Sequence, residues 1–164
     1  MKTLYCTLVR SHVEYGSVVW SPYTSRNIDK LERIQQRGTK FILGQNDISY
    51  EDRLKCLNML SLEKRRYLFD VTFLYKALLK WLPNIDLTPL LNFYSQADPY
   101  KFRHVDDYSL KLNFARTTKF KYSYFNRIVA MWNSLPLEIR LAPNLKAFKP
   151  SIKKISHIIV DEVG

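Results

Sequence analysis

The chain has 164 residues, of which 46% are apolar and 14% aromatic, with only four glycines. A chain of that size and make-up can bury a core, and it is too rich in apolar residues to remain a disordered tail. Twenty-six Lys and Arg against 15 Asp and Glu leave +11 and a pI near 9.7, which directs expectation towards polyanionic partners.

The first expected element is a helix, because Leu4, Tyr5, Leu8, Val9, His12 and Val13 recur at helical spacing and Gly16 is a natural stop. His12 lies on that seam and reads as a core histidine, since no catalytic partner is near it in sequence. Val18-Val19-Trp20 reads as extended up to Ser21-Pro22, because a residue before proline avoids the helical region. A second helical run then reaches Leu43. Within it Arg26, Lys30, Arg33, Arg37 and Lys40 repeat at spacings of four, three, four and three. At about 100° per residue these five cations share a strip roughly 80° wide, while Ile28, Leu31, Ile34, Phe41 and Ile42 are assigned to the opposite, core-facing side. A rigid ridge of cations is the kind of surface that follows a phosphate backbone; its bland alternative is a solvated helix face.

Ser49 with Asp52 three residues on predicts a capped short helix from Tyr50 to Leu57. Ser61 caps a longer one from Leu62 to about Leu82, ending before Pro83. Tyr67, Leu68, Val71, Leu74, Tyr75, Leu78 and Leu79 give that helix a broad apolar face, and Phe69 and Phe73 extend it, so it belongs at the centre of a bundle. Lys64-Arg65-Arg66 at its start reads as a solvated turn in preference to an anion contact. Between Pro83 and Asp107 there is little periodicity beyond a turn of helix around Pro89 to Tyr94. Tyr108, Leu110, Leu112 and Phe114 alternate, which predicts a strand and leaves room for a small β-hairpin near residues 108–122. Phe125, Ile128, Val129, Trp132 and Leu135 mark an amphipathic helix, with Asn126, Arg127, Asn133 and Ser134 on its far side.

The fold class expected is therefore mainly α, with about five or six helices. Residues 1–83 form a helical region, 84–107 a loop-rich connector, 108–156 a basic hairpin plus helices, and 157–164 a tail. The first of these carries fourteen basic and eight acidic residues, the connector two and four, and the third ten and one, so the flanks hold the polyanion-facing charge. In the third, Arg116, Lys119 and Lys121 are interleaved with Phe120 and Tyr122, a pattern that can pair phosphate contact with base stacking; core aromatics beside a basic surface are the plain alternative. No run of about eighteen apolar residues suggests a membrane span. The N-terminus, with Arg10, His12 and Glu14 close by, is unlike a signal peptide, and Cys6 and Cys56 have neither metal spacing nor a disulfide framework. An intracellular setting is expected, nucleus and cytoplasm undistinguished, with no cofactor, metal or small-molecule substrate.

Several separate stretches carry a family resemblance. Leu8-Val9-Arg10, His12-Val13-Glu14-Tyr15-Gly16-Ser17, Val19-Trp20-Ser21-Pro22-Tyr23 and Leu31-Glu32-Arg33-Ile34-Gln35-Gln36-Arg37 resemble the segment downstream of the polymerase palm in jockey-like non-LTR retrotransposon reverse transcriptases. Tyr50-Glu51-Asp52-Arg53-Leu54 is similar to the pattern that follows there. Phe125-Asn126-Arg127, Trp132-Asn133-Ser134-Leu135-Pro136 and Ala142-Pro143-Asn144-Leu145-Lys146-Ala147-Phe148-Lys149 resemble its closing signature. The blocks are collinear over roughly residues 4–149. The family usually has proline in place of Ser11 and a larger residue in place of Gly38. A glycine there costs about 1 kcal/mol relative to alanine, so either a neighbouring side chain fills the gap or the sequence is drifting. Pro150 also departs from the pattern. Proline inside a helix costs about 3 kcal/mol, so the last helix is expected to break or restart at Ser151.

The resemblance implies the thumb and connecting region of an RNA-directed DNA polymerase, a thumb-like helical bundle holding an RNA/DNA duplex by its backbone beside a reverse transcriptase palm. The family's metal-holding aspartate pair lies upstream of everything here, so no polymerase activity is expected of this chain alone. Asp106-Asp107, the only adjacent aspartate pair, reads as a solvated loop. Two other classes remain: a stranded or domesticated protein-interaction module without nucleic-acid function, and an enzyme in its own right, ranked last because no Ser/His/Asp, Cys/His or phosphate-loop arrangement is present.

Overall fold

A computed structural model describes residues 1–44, 47–82, 86–94 and 106–162. The chain is mainly helical, with no strand among the described residues. It divides into two compact units, Met1–Arg66 and Tyr67–Gly164.

The first unit opens with α1 (Lys2–Leu4), which runs through a π-helical stretch (Tyr5–Arg10) into α2 (Ser11–Glu14). Gly16 ends it with φ 63°, a backbone region that suits glycine. Val18 to Trp20 are not extended. They form a single turn, α3 (Ser17–Trp20), braced by the Trp20 indole donating to the Tyr15 carbonyl at 2.6 Å, and only Ser21 takes the extended conformation that Pro22 imposes. His12 is exposed, so it is a surface side chain and not a core one; it faces solvent together with Leu4, Leu8 and Val9. The buried residue of this segment is Tyr5. Its ring lies where a side chain at position 38 would sit: a Cβ built on Gly38 would come within 2.4 Å of Tyr5 Cε2. Gly38 is thus a socket. Around it Tyr5, Leu57 and Met59 form a small core with Cys6, Ile42, Leu43 and Leu54.

The next helix, α4 (Ser25–Leu43), ends at Gly44 in the left-handed conformation, its N–H on the Lys40 carbonyl at 2.9 Å. Ser49 caps α5 (Tyr50–Cys56) by accepting the Asp52 N–H at 3.1 Å, as the sequence predicts. Asn58, at φ 46°, closes α5 with a Schellman pair, Met59 N–H to Leu54 and Asn58 N–H to Lys55. The long helix α6 (Leu62–Leu78) has Ser61 accepting from Lys64 N–H at its start. Lys64-Arg65-Arg66 is not a solvated turn: Arg65 grips the Glu14 carboxylate with both Nε and Nη2, and Arg66 is buried.

In the second unit the central placing of α6 holds, with Val71, Leu74 and Tyr75 buried. It stops at Leu78, short of the Leu82 expected, because Lys80 turns left-handed (φ 54°) and a second Schellman pair, Trp81 N–H to Lys76 and Lys80 N–H to Ala77, terminates it before Pro83 matters. A 3-10 turn (Thr88–Leu90) stands near the turn expected around Pro89 to Tyr94; residue 83, and residues 84–85 and 95–105 of the connector, lie outside the described residues.

The β-hairpin expected near residues 108–122 is not formed. One isolated bridge pairs Phe93 with Leu110, and of the alternating face only Leu110 is buried. The reason is local. Asn133 takes both backbone groups of Leu110, its Oδ1 accepting the N–H and its Nδ2 donating to the C=O, each at 2.8 Å, so a strand on that side finds no ladder. Thr117 then caps a helical turn, α7 (Thr118–Lys121), by accepting the Phe120 N–H at 3.2 Å, where a hairpin would need its return strand.

The amphipathic helix α8 (Tyr124–Asn133) buries Ile128, Val129 and Trp132 as expected. Its far side is only in part a solvent face, with Asn133 and Ser134 exposed. Asn126 is buried, and Arg127 clamps the buried Asp70 with Nε at 2.9 Å and Nη2 at 3.2 Å. Asp106 is likewise no solvated loop residue: it accepts from Tyr108 N–H at 2.9 Å and is held by both Nη atoms of Arg140, at 3.0 and 2.6 Å, at the end of α9 (Leu137–Arg140). Trp132 Nε1 donates to the Tyr108 carbonyl at 2.9 Å. The last helix, α10 (Leu145–Glu162), does not break at Pro150. The ring faces solvent, Ser151 Oγ donates to the Ala147 carbonyl at 3.1 Å, and Phe148 and Ile152, one turn apart, are both buried, so packing on either side of the proline holds the helix through it.

Candidate nucleic-acid interface

The rotation of α4 decides what it presents, and its back face is set by polar groups. Gln35 and Thr39, both 0% exposed, lie roughly opposite the cation strip. Gln35 Nε2 donates to the Tyr50 hydroxyl at 3.0 Å and to the Leu60 carbonyl at 2.9 Å. The Tyr50 hydroxyl in turn donates to Glu32, whose carboxylate accepts the Leu62 N–H at 3.2 Å on each oxygen. That carboxylate sits on the first N–H of α6, where negative charge is favoured by the helix dipole. Thr39 Oγ1 accepts from Arg53 Nε at 3.3 Å, and Arg53, 3% exposed, also donates to the Ile48 carbonyl. Burial, then the Glu32 hydrogen bond, push the Tyr50 phenol well above its ordinary value, so it stays a donor. Hydrogen bonds need angles as well as contact, so this network fixes the helix more tightly in rotation than an oily seam would.

With the back face pinned, Arg26, Lys30, Arg33, Arg37 and Lys40 are all exposed, and none is in an ion pair among the described residues. They extend over about 21 Å of helix. The sequence misplaces two residues beside them. Ile34 and Phe41 stand only about 80° and 60° from the midline of the cations, not on the opposite side, and they are 37% and 74% exposed.

In the second unit Arg116, Lys119 and Lys121 are exposed around α7, as are Phe114, Phe120 and Tyr122, and Lys121 Nζ lies 5.6 Å from the Tyr122 ring centre. These three cations form one local group. The five of α4 form another, in the first unit. The sequence reading passed over a third set: Lys146, Lys149 and Lys153 on α10, spaced by three and four and all exposed, with Lys154 beside them. The expected break at Pro150 hid it, because the stripe exists only if the helix continues.

The described residues contain no group of three His, Cys, Asp or Glu placed to hold a metal ion, and no helix long and apolar enough to cross a membrane. Comparison with protein-family models, with curated proteins and with solved structures finds no match.

Proposed function

We propose that this chain grips the sugar-phosphate backbone of nucleic acid through the exposed cations of α4, as the thumb and connecting part of a jockey-like non-LTR reverse transcriptase whose palm supplies the chemistry. The observation that carries the reading is the strip of five exposed cations, none in an ion pair among the described residues, on a helix whose rotation is fixed by the Glu32, Gln35 and Tyr50 network. Backbone contact needs positive charge on rigid elements and no base-reading groups. Arg116, Lys119 and Lys121, set among exposed aromatics, add a second backbone contact in this proposal. The chain by itself binds and does not polymerise.

The test is a fluorescence-anisotropy titration of an RNA–DNA hybrid across a range of salt. Five phosphate contacts predict a slope near −4.5 in log K against log salt, at about −0.9 each, with little dependence on sequence. A flat salt dependence overturns the reading. A second reading has its own observation: Leu4, Leu8 and Val9 form an exposed apolar stretch on the first helix, which suits a protein surface such as a palm. Such a module would bind its partner with little sensitivity to salt and would not shift the hybrid at all.

A further inference from the structure

We propose that Phe41 is a stacking platform for an unpaired base, so that the α4 ridge takes a nucleic acid with a single-stranded portion in preference to a blunt duplex. This rests on the backbone reading above and adds the class of ligand. Phe41 is 74% exposed in the last turn of α4, bracketed by Arg37 one turn before it and Lys40 beside it. It cannot swing inward, because Gln35 and Thr39 hold the opposite side of the helix buried. Ile34, two turns back on the same flank, extends the apolar edge next to the cations.

Three residues on, at the helix end, a Cβ built on Gly44 would meet nothing within 4 Å. Helix electrostatics point the same way. The N-terminal end of α4, at Arg26, carries partial positive charge and favours phosphate, whereas the C-terminal end carries partial negative charge and does not. A strand whose backbone follows Arg26 to Lys40 therefore brings a base, more readily than a further phosphate, to Phe41. Cations along a groove with an exposed ring at its end are the parts from which single-strand binding is built.

The experiment compares a labelled single strand and a blunt duplex, each of about 20 units, in anisotropy titrations at one salt concentration. Phe41→Ala is expected to weaken the single strand about thirtyfold, the middle of the range for one stacked base, and to leave the duplex within about twofold. Phe41→Trp is expected to restore or tighten single-strand binding, whereas Phe41→Leu, which keeps apolar bulk without a ring, behaves like Phe41→Ala. Circular dichroism checks that each variant keeps its helix, and a Leu-to-Trp comparison carries the test if Phe41→Ala does not fold. Equal losses on both ligands, no loss on either, or full binding by Phe41→Leu overturns the stacking role. Arg33→Gln with Arg37→Gln separates the layers. If that change weakens both ligands while Phe41→Ala weakens neither, only the stacking inference falls; if it too does nothing, the backbone reading falls with it.

Discussion

Gly38→Ala turns on a competition between helix propensity and packing. Alanine in place of glycine inside a helix ordinarily adds about 1 kcal/mol of stability. Here the new methyl would meet Tyr5 Cε2 at 2.4 Å, Cδ2 at 2.7 Å and Cζ at 3.0 Å. Tyr5 is held in the Leu57 and Met59 core, so the ring must shift as a block and carry its neighbours with it. Forcing a methyl into a packed core costs about 1–3 kcal/mol. The upper part of that range wins over propensity, because the overlap is with a rigid ring and approaches a full ångström. The net expectation is a loss of up to about 2 kcal/mol, read as a fall of roughly 1 M in the urea midpoint. In a Tyr5→Ala background the methyl has room, and the same change should stabilise by about 1 kcal/mol, a reversal of sign that a double-mutant cycle detects. If Gly38→Ala is the more stable protein in the unaltered background, the socket described for Tyr5 is wrong.

Other consequences concern buried polar groups. Asp70, at 1% exposed, is paired with Arg127, and Asp70→Ala removes the carboxylate that this guanidinium holds, so it should cost about 3–5 kcal/mol in a denaturant titration, whereas breaking an exposed pair such as Lys55 with Asp52 should cost far less. The Tyr5 hydroxyl is buried with no hydrogen-bond partner among the described residues, and burial pushes its phenol up to about 12. A raised folded-state value means that the unfolded chain loses its proton first, so stability is whole below about pH 10 and falls between about 10 and 12 as the unfolded state ionises. Tyr5→Phe should be neutral or slightly stabilising at pH 7 and should shrink that alkaline loss, as thermal midpoints measured over the range would report.

What the sequence made legible was local chemistry. The Ser49 and Ser61 caps, the stop at Gly16, the central α6 and the buried seam of α8 all follow from one residue type at one spacing, and all are present. The failures share a cause, which is that a distant group took over a local preference. Leu110 sits in an alternating stretch, but Asn133, 23 residues away, claims its backbone. Pro150 breaks helices in isolation, whereas Phe148 and Ile152 hold this one by tertiary packing. Asp106, Arg127 and Arg65 looked solvated because nothing in sequence announces a partner 34, 57 or 51 residues away. At the candidate interface the five cations were legible, since their spacing alone puts them in line. Phe41 and Ile34 were misread because apolar residues were assigned to the core by type. The true back face of α4 is Gln35 and Thr39, a polar seam that no hydrophobic pattern reveals.

The most direct test of the ridge is the salt slope of hybrid binding for Arg33→Gln with Arg37→Gln, set against a control that removes the same charge from α6 and the turn that ends it. The control is Lys76→Gln with Lys80→Asn, asparagine being chosen because Lys80 has a positive φ. Both ridge positions are exposed, so stability should stay within about 0.5 kcal/mol. Contact at the ridge predicts that its slope flattens by about 1.8, two contacts' worth, while the control keeps the slope of the unaltered chain. Equal flattening in the two variants would mean that the net charge of +11, and not the line of cations on α4, attracts the nucleic acid.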